Sequence, residues 1–379
     1  MPFSRKIFVS AVVISLLASA VSVTFAASGD TEQSLEARIT AITPSLCGRD
    51  RHACSQIDLA ATSGPLAGKA ITIRTDPLSF VGGRPISLKD GQSILLETQT
   101  IDGQQHFVFS DLVRRMPLSF LLAIFIGCIV LVGGRSSVRS LLGMVVSFVF
   151  LFAFMLPRIL AGDSPLLIGF LGSCVIMTLT FLITHGWNAK MGSALLGTFL
   201  SLLLTAALAI SFSAWAHLLG LADENAVYLL QNFPHLDTRG LLLAGIIIGT
   251  LGSLNDVTIS QASAVFELKA ANPRLTSKEL NQSALRIGRD HIAGAINTLI
   301  LAYAGVALPL LLLLVSSSNA EPWSILVNRE TFATEIVRTL VGSIGLLAAI
   351  PFTNLFASFF AGRMDFSRLK EIAGGGHGH

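Results

Sequence analysis

The sequence predicts a polytopic α-helical membrane protein of seven spans, preceded by an N-terminal signal or anchor segment and carrying a small extracytoplasmic all-β domain. Three observations predict it. Of 379 residues, 52% are hydrophobic and 13% charged, with a mean hydropathy of +0.70; an average soluble domain has about a quarter of its residues charged. Apolar runs recur at the length that crosses about 30 Å of hydrocarbon. Ahead of them lies a region of short β-rich stretches punctuated by turn residues. The formal charge is only +3 and the basic residues are scattered, so nucleic-acid binding has no footprint here.

Residues 1–30, MPFSRKIFVSAVVISLLASAVSVTFAASGD, have a basic start, an apolar run and then small residues. That pattern fits an export signal cleaved near Ala26, and equally an anchor that stays, because the run from Ile7 to Ala26 is long enough to span. Either reading exports the β-rich region behind it. Residues 31–113 form the β domain. RITAIT, GKAITIRT, SILLETQT and QQHFVFS show partial period-two alternation between SGP, VGGRP and KDG, which suits a five-stranded barrel or sandwich. Asp102-Gly103 is a two-residue hairpin signal. Cys47 and Cys54, in TPSLCGRDRHACSQ, lie in this exported part, where a disulfide stapling the first long loop is permitted. The sharper alternative is a metal site made with Asp50 and His52. Cys128 and Cys174, in apolar runs, read as small buried hydrophobes.

Residues 114–362 carry the spans, at about 116–134, 138–161, 165–184, 191–216, 240–266, 288–315 and 334–360. Lys and Arg gather on the cytoplasmic side of short loops. With the β domain outside, Arg5, Lys6, Arg135, Arg139, Lys190, Lys269, Arg274, Lys278, Arg286, Arg289, Arg363, Arg368 and Lys370 fall inside. Arg114, Arg115, Arg158, Arg239, Arg329 and Arg338 fall outside. The excess places the C-terminal tail, residues 363–379, in the cytoplasm. In the longest cytoplasmic loop, RLTSKEL holds a capping box of Thr276 and Glu279 with Leu275 and Leu280 as a staple, predicting a helix from Ser277 with no proline before Pro309.

The stretch GTLGSLNDVTISQAS sits inside the fifth of these spans. At helical spacing Gly249, Gly252, Ser253, Asp256, Ser260, Ser263 and Glu267 form one small or polar stripe, with Ile246, Leu251, Leu254, Val257 and Ile259 opposite. Small residues let helices approach closely, but they do not explain Asp256. The next span places Asp290, Gly294, Asn297 and Leu301 on one face, with Thr298 beside them. At 1.5 Å per residue, Asp256 comes out about 6 Å and Asn297 about 9 Å from the inner boundary of the core. Asp256, Asn255, Ser260, Asp290, Asn297 and Thr298 therefore form the candidate ligand-binding set. Their oxygens suit a hard cation, or the carboxylates a proton. The bland alternative pairs Asp256 with Arg286 or Arg289, or has it cap a broken helix. No nucleophile, base and oxyanion donors come together, so the sequence predicts neither an enzyme nor a cofactor. His185 reads as a solvated loop residue and the tail GGGHGH as a flexible end.

GTLGSLNDVTISQASAVFEL and RIGRDHIAGAINTLILAYAG, preceded by the segment ending FVFSDLVRR, resemble the YibE/F-like membrane proteins of bacteria, from about residue 35 to 360. The resemblance implies a multi-pass protein of the bacterial plasma membrane with transport suspected; the family pattern carries a hydrophobic residue where this chain has Asn255. Two function classes are open. One is a transporter of a small ion or solute, working in the lipid bilayer with Asp256 and Asp290 as its carboxylates. The other is a non-transporting assembly or envelope-sensing protein whose stripe packs helices, whose β domain meets an envelope protein and whose partner can be a second copy of the chain.

Overall fold

The computed structural model describes residues 34–47, 52–63, 66–75, 88–101, 104–317 and 321–364, together with Ile372. The first 33 residues, Asp50, Asp102-Gly103 and the His-rich tail lie outside the described residues, as do the side chains of Cys47 and Cys54. The chain divides after Gly134 into a sheet-bearing unit and a helical unit.

In the first unit β1 (Ser34–Cys47), β2 (His52–Ala61), β3 (Ala70–Thr75), β4 (Ser93–Ile101) and β5 (Gln104–Leu112) form one antiparallel sheet in the order β3-β2-β1-β4-β5. Period-two alternation buries Leu35, Ala37 and Ile39 of β1, Ile57, Leu59 and Ala61 of β2, Ile71 and Ile73 of β3, and Ile94 and Leu96 of β4 on one side. β2 falls where the sequence predicts a cysteine-stapled loop. It pairs along its whole length with β1, with Cys47 opposite His52 and Cys54 opposite Ser45, so both cysteines belong to one hairpin. Ile101 stands opposite Gln104, leaving the two residues that a tight hairpin needs. At the foot of β5, Asp111 accepts a bond from Arg114 at 2.7 Å and another from the Leu112 amide; the guanidinium first, and that amide second, hold its carboxyl below the ordinary range. The helix α1 (Arg115–Gly134) comes next, tied back to β1 by an ion pair between Arg115 and Glu36. Its apolar side chains are exposed, as lipid-facing ones are, and Cys128 among them is exposed rather than buried.

The helical unit contains α2 (Ser137–Leu160), α3 (Pro165–His185), α4 (Ala189–Trp215), the short amphipathic α5 (Glu224–Asn232), α6 (Thr238–Ala271), α7 (Ser277–Val306), α8 (Leu308–Ser317), α9 (Trp323–Leu326) and α10 (Glu330–Gly362). Six helices, α1 to α4, α6 and α10, are long and apolar enough to cross a bilayer, and α7 with α8 makes a bent seventh. The expected span 288–315 is not one helix. It breaks by 71° at Ala307, because Pro309 has no N–H to give to the carbonyl four residues back and its ring crowds that turn. Pro157 acts similarly on α2, where the preceding turn, Leu151–Met155, widens to a π-helix. The predicted start of α7 is observed, with Thr276 and Glu279 in a reciprocal capping box.

The core of this unit is the trio α4, α6 and α10. Antiparallel α4 and α10 meet through small residues: a Cβ on Gly197 would lie 2.8 Å from the Thr353 Cα, and one on Gly345 would lie 3.3 Å from the Thr205 Cβ. Close approach supplies van der Waals contact that hydrophobicity cannot supply between helices in lipid. Gly245 of α6, by contrast, has open space beyond its Cα. The pair yields a controlled prediction. Gly197→Ala lowers unfolding stability by about 1–3 kcal/mol through overpacking, whereas Gly245→Ala leaves it unchanged or slightly raised. Thermal unfolding of the two variants in detergent reads the difference.

Candidate functional site

The polar stripe is where the helical spacing puts it, but it looks outward. Ile246, Leu251, Leu254 and Val257 of α6 are buried in the unit, while Gly245, Gly249, Gly252, Asp256 and Ser260 are exposed. Gly245 and Gly249 form a GxxxG pair on that open face. Asp256 is 18 residues into a 34-residue helix, and neither it nor Ser260 has a hydrogen-bond or ion-pair partner among the described residues. The pairing with Arg286 or Arg289 is not made: Arg286 bonds Ser283 at 3.2 Å.

Asn255, one residue along, turns about 100° around the helix and is half-buried, with its Oδ1 enclosed and unpartnered. Three residues on, Thr258 meets Thr198 of α4 across the interface at 2.7 Å. On α7 the buried positions are Leu280, Ala284, Gly288 and Leu299. Asp290 and Asn297 fall on the opposite, exposed side, and Thr298, also exposed, donates within its own helix to the Gly294 carbonyl at 2.9 Å.

Two contacts fix the depth of these faces. Gln261 Nε2 donates to the Ala284 carbonyl at 2.7 Å, and the Tyr303 hydroxyl lies against Gly249 and Gly342. Interpolating between them puts Asp256 level with about residue 292 of α7, two residues from Asp290 and five from Asn297. The structure thus brings Asp256 and Ser260 onto one face and Asp290, Asn297 and Thr298 onto another at the same depth. It does not join the two sets by any hydrogen bond. Among the described residues no group of three His, Cys, Asp or Glu side chains is placed to hold a metal.

Lys269 holds the turn between the two polar helices. It is 8% exposed, and its Nζ donates to the carbonyls of Pro273 at 2.8 Å and Leu275 at 2.7 Å. Those carbonyls belong to the loop that precedes the α7 cap, so one ammonium ties the end of α6 to the start of α7.

Sequence reasoning missed the polar residues of the core trio. Thr198, Ser201 and Thr205 of α4, Thr250, Thr258 and Gln261 of α6, and Ser343, Thr353, Asn354 and Ser358 of α10 are all buried. The available signal was spacing: Gly197, Ser201 and Thr205 recur every four residues, as do Gly345, Ala349, Thr353, Ala357 and Ala361. Arg338, which the orientation count put in an outer loop, is instead two turns into α10, where it bonds Glu335 at 2.7 Å.

Six long apolar helices and one bent pair, with a small antiparallel sheet ahead of them in the chain, define a polytopic membrane protein with a polar stripe on one span. The family model described as YibE/F-like protein matches residues 121–363, and the chain belongs to that family. The match covers the helices from α1 onward and not the sheet, so the likeness expected from residue 35 is supported only from residue 121. No curated protein matches the chain, and no solved structure does.

Replacing Lys269 with Met keeps the stem and removes the charge. The expected outcome is a loss of about 2–3 kcal/mol, since two hydrogen bonds to a charged donor disappear and two loop carbonyls lose their partner. Thermal unfolding measures it, with Lys278→Met, an exposed change on the same loop side, as the control near zero.

Proposed function

We propose that the helical unit moves a small ion or solute across the bacterial plasma membrane, with the stripe around Asp256 as its binding face and Asp290, Asn297 and Thr298 at the same depth completing the path. The observation that carries this reading is the unpaired carboxylate. An ionised group inside a span costs at least several kcal/mol if it faces hydrocarbon, and among the described residues no cation, amide or hydroxyl pairs with Asp256 to offset that. A face that keeps such a group meets water, a ligand or another polar surface. Small neighbours at Gly249, Gly252 and Ser260 leave room there, and membrane transporters place ionisable residues on such paths. The basic residues between α6 and α7 favour the cytoplasm for that loop, which leaves the sheet outside; from there it can meet an envelope protein.

A second reading has an observation of its own. The exposed Gly245-xxx-Gly249 pair, continued by Gly252 and Ser253, is the pattern by which helices pack in membranes, and under it the stripe joins this chain to a second copy or another helix without moving anything.

Thermal unfolding of the purified full chain across pH and a panel of monovalent and divalent ions separates the two. For transport, a ligand at a hundredfold excess over its Kd raises wild-type stability by about 2.7 kcal/mol, and Asp256→Asn abolishes that shift. Because Asp256 has no partner to lose, the variant without ligand melts within about 0.5 kcal/mol of wild type. Identical responses of wild type and Asp256→Asn to every ion and pH refute the binding role.

A further inference from the structure

Two close approaches fix how α7 lies against α10. At one end Gly362 of α10 meets Ser277, the first residue of α7. At the other, a Cβ on Gly288 would lie 2.7 Å from Cγ2 of Ile350 and 3.0 Å from Oε1 of Gln261. Between these points residues 350, 354, 358 and 362 of α10 and 277, 281, 284 and 288 of α7 form two rows at helical spacing on the facing sides. The antiparallel register sets Ser358 opposite Asn281 and Asn354 opposite Ala284. Gln261 of α6 closes the third side, through its 2.7 Å bond to the Ala284 carbonyl. Neither row carries a charge, and the surrounding walls are small or apolar, with Ala262, Phe266, Leu280 and Ala357 among them.

Asn354 is 0% exposed, and neither its Oδ1 nor its Nδ2 has a partner among the described residues. The hydroxyl of Ser358, 3% exposed, and the enclosed Oδ1 of Asn281 also lack one. Buried hydroxyls elsewhere in the unit, those of Ser173, Ser213, Thr334, Ser343 and Thr353, also lack partners. Here three side chains on facing rows share the same deficit, and one of them is an amide with donor and acceptor both unmet. Burying an amide without partners is costly, and hydrocarbon supplies none.

The chemistry of the occupant is set by the mixture. Two carbonyl oxygens need donors, one NH2 needs acceptors and the hydroxyl takes either. A bare cation leaves Nδ2 unmatched, and an anion leaves both carbonyls unmatched. Water supplies a donor and an acceptor at each position, and buried water of this kind makes about three hydrogen bonds to otherwise unmet groups. We infer that the seam between α6, α7 and α10 binds a cluster of water held by Asn281, Asn354 and Ser358. Gln261 is five residues from Asp256, about 7.5 Å along the axis of α6. Those five residues also turn about 140° around the helix, so the seam and the Asp256 face lie on different sides of α6 and the water cluster does not depend on the proposed function.

The test is hydroxyl-radical labelling, in which X-rays split water beside the full-length protein in nanodiscs and mass spectrometry locates oxidised side chains. Phe266 and Leu280 report on the seam, and Ile246 and Leu243, in the separate cluster with Leu218 and Val341, serve as dry references, all four being buried. The expected result is clear labelling of Phe266 and Leu280 above the two references, falling to their level in Asn354→Leu, which also melts below wild type because the water contacts are lost. Labelling of Phe266 and Leu280 at the reference level in wild type overturns the inference. So does an Asn354→Leu protein that melts above wild type, the outcome for an amide with no partner in a dry seam. Ser358→Ala, a smaller change, repeats the comparison if Asn354→Leu does not fold. Identical ion and pH responses of wild type and Asp256→Asn, with Phe266 still labelled, refute the binding role of Asp256 and leave the water cluster standing.

Discussion

Hydrocarbon offers no hydrogen bonds, so every polar group that the helical unit carries into the membrane needs a partner from the protein or from something the protein holds. On α4 and α6 the core meets this demand locally. Thr198, Ser201 and Thr205 of α4 and Thr250 and Thr258 of α6 each return their hydroxyl to the carbonyl four residues back. This arrangement adds little affinity between helices, but it lets small polar residues stand where the backbones come close. Thr198 and Thr258 go further and meet one another, joining α4 to α6. The trio α4, α6 and α10 is therefore both tightly packed and polar without being electrostatically demanding.

Against that background two places stand out. Asp256 is a carboxylate on the open side of α6, and the Asn354 seam is a closed amide cluster behind it. They share α6, whose inner face packs the trio and whose Gln261 reaches α7. One helix thus carries the core on one side and the polar stripe on the other. Loop chemistry holds it in place: Asp237 caps its start by accepting from the Gly240 amide, Lys269 binds the turn at its end, and Glu330 at the start of α10 accepts from the amides of Leu219, Gly220 and Leu221. Charged groups thus organise the loops at the helix ends, where water lowers their desolvation penalty.

The spans were legible because length and apolarity are properties of the chain alone, and the α7 cap because Thr276 and Glu279 satisfy each other within four residues. The break at Ala307 was also written, in Pro309, but a run of apolar residues on both sides hid it. β2 was obscured by its cysteines, although Ile57, Leu59 and Ala61 alternate as a strand requires. The stripe on α6 was readable from spacing. Its direction was not, since which face a helix buries depends on neighbours distant in sequence. The same holds for Asn354, which reads as one polar residue in an apolar run until α7 is laid against it.

The central claim is that the Asp256 face meets a polar environment and not lipid. Spin labels on the full chain in a bilayer, in a cysteine-free background, measure this through collision with oxygen, which concentrates in hydrocarbon, or with a water-soluble nickel chelate. A label at Gly252→Cys is compared with one at Leu347→Cys, an exposed apolar position of α10. The account predicts nickel collisions dominating at residue 252 and oxygen collisions at residue 347. Oxygen dominating equally at both positions would contradict it.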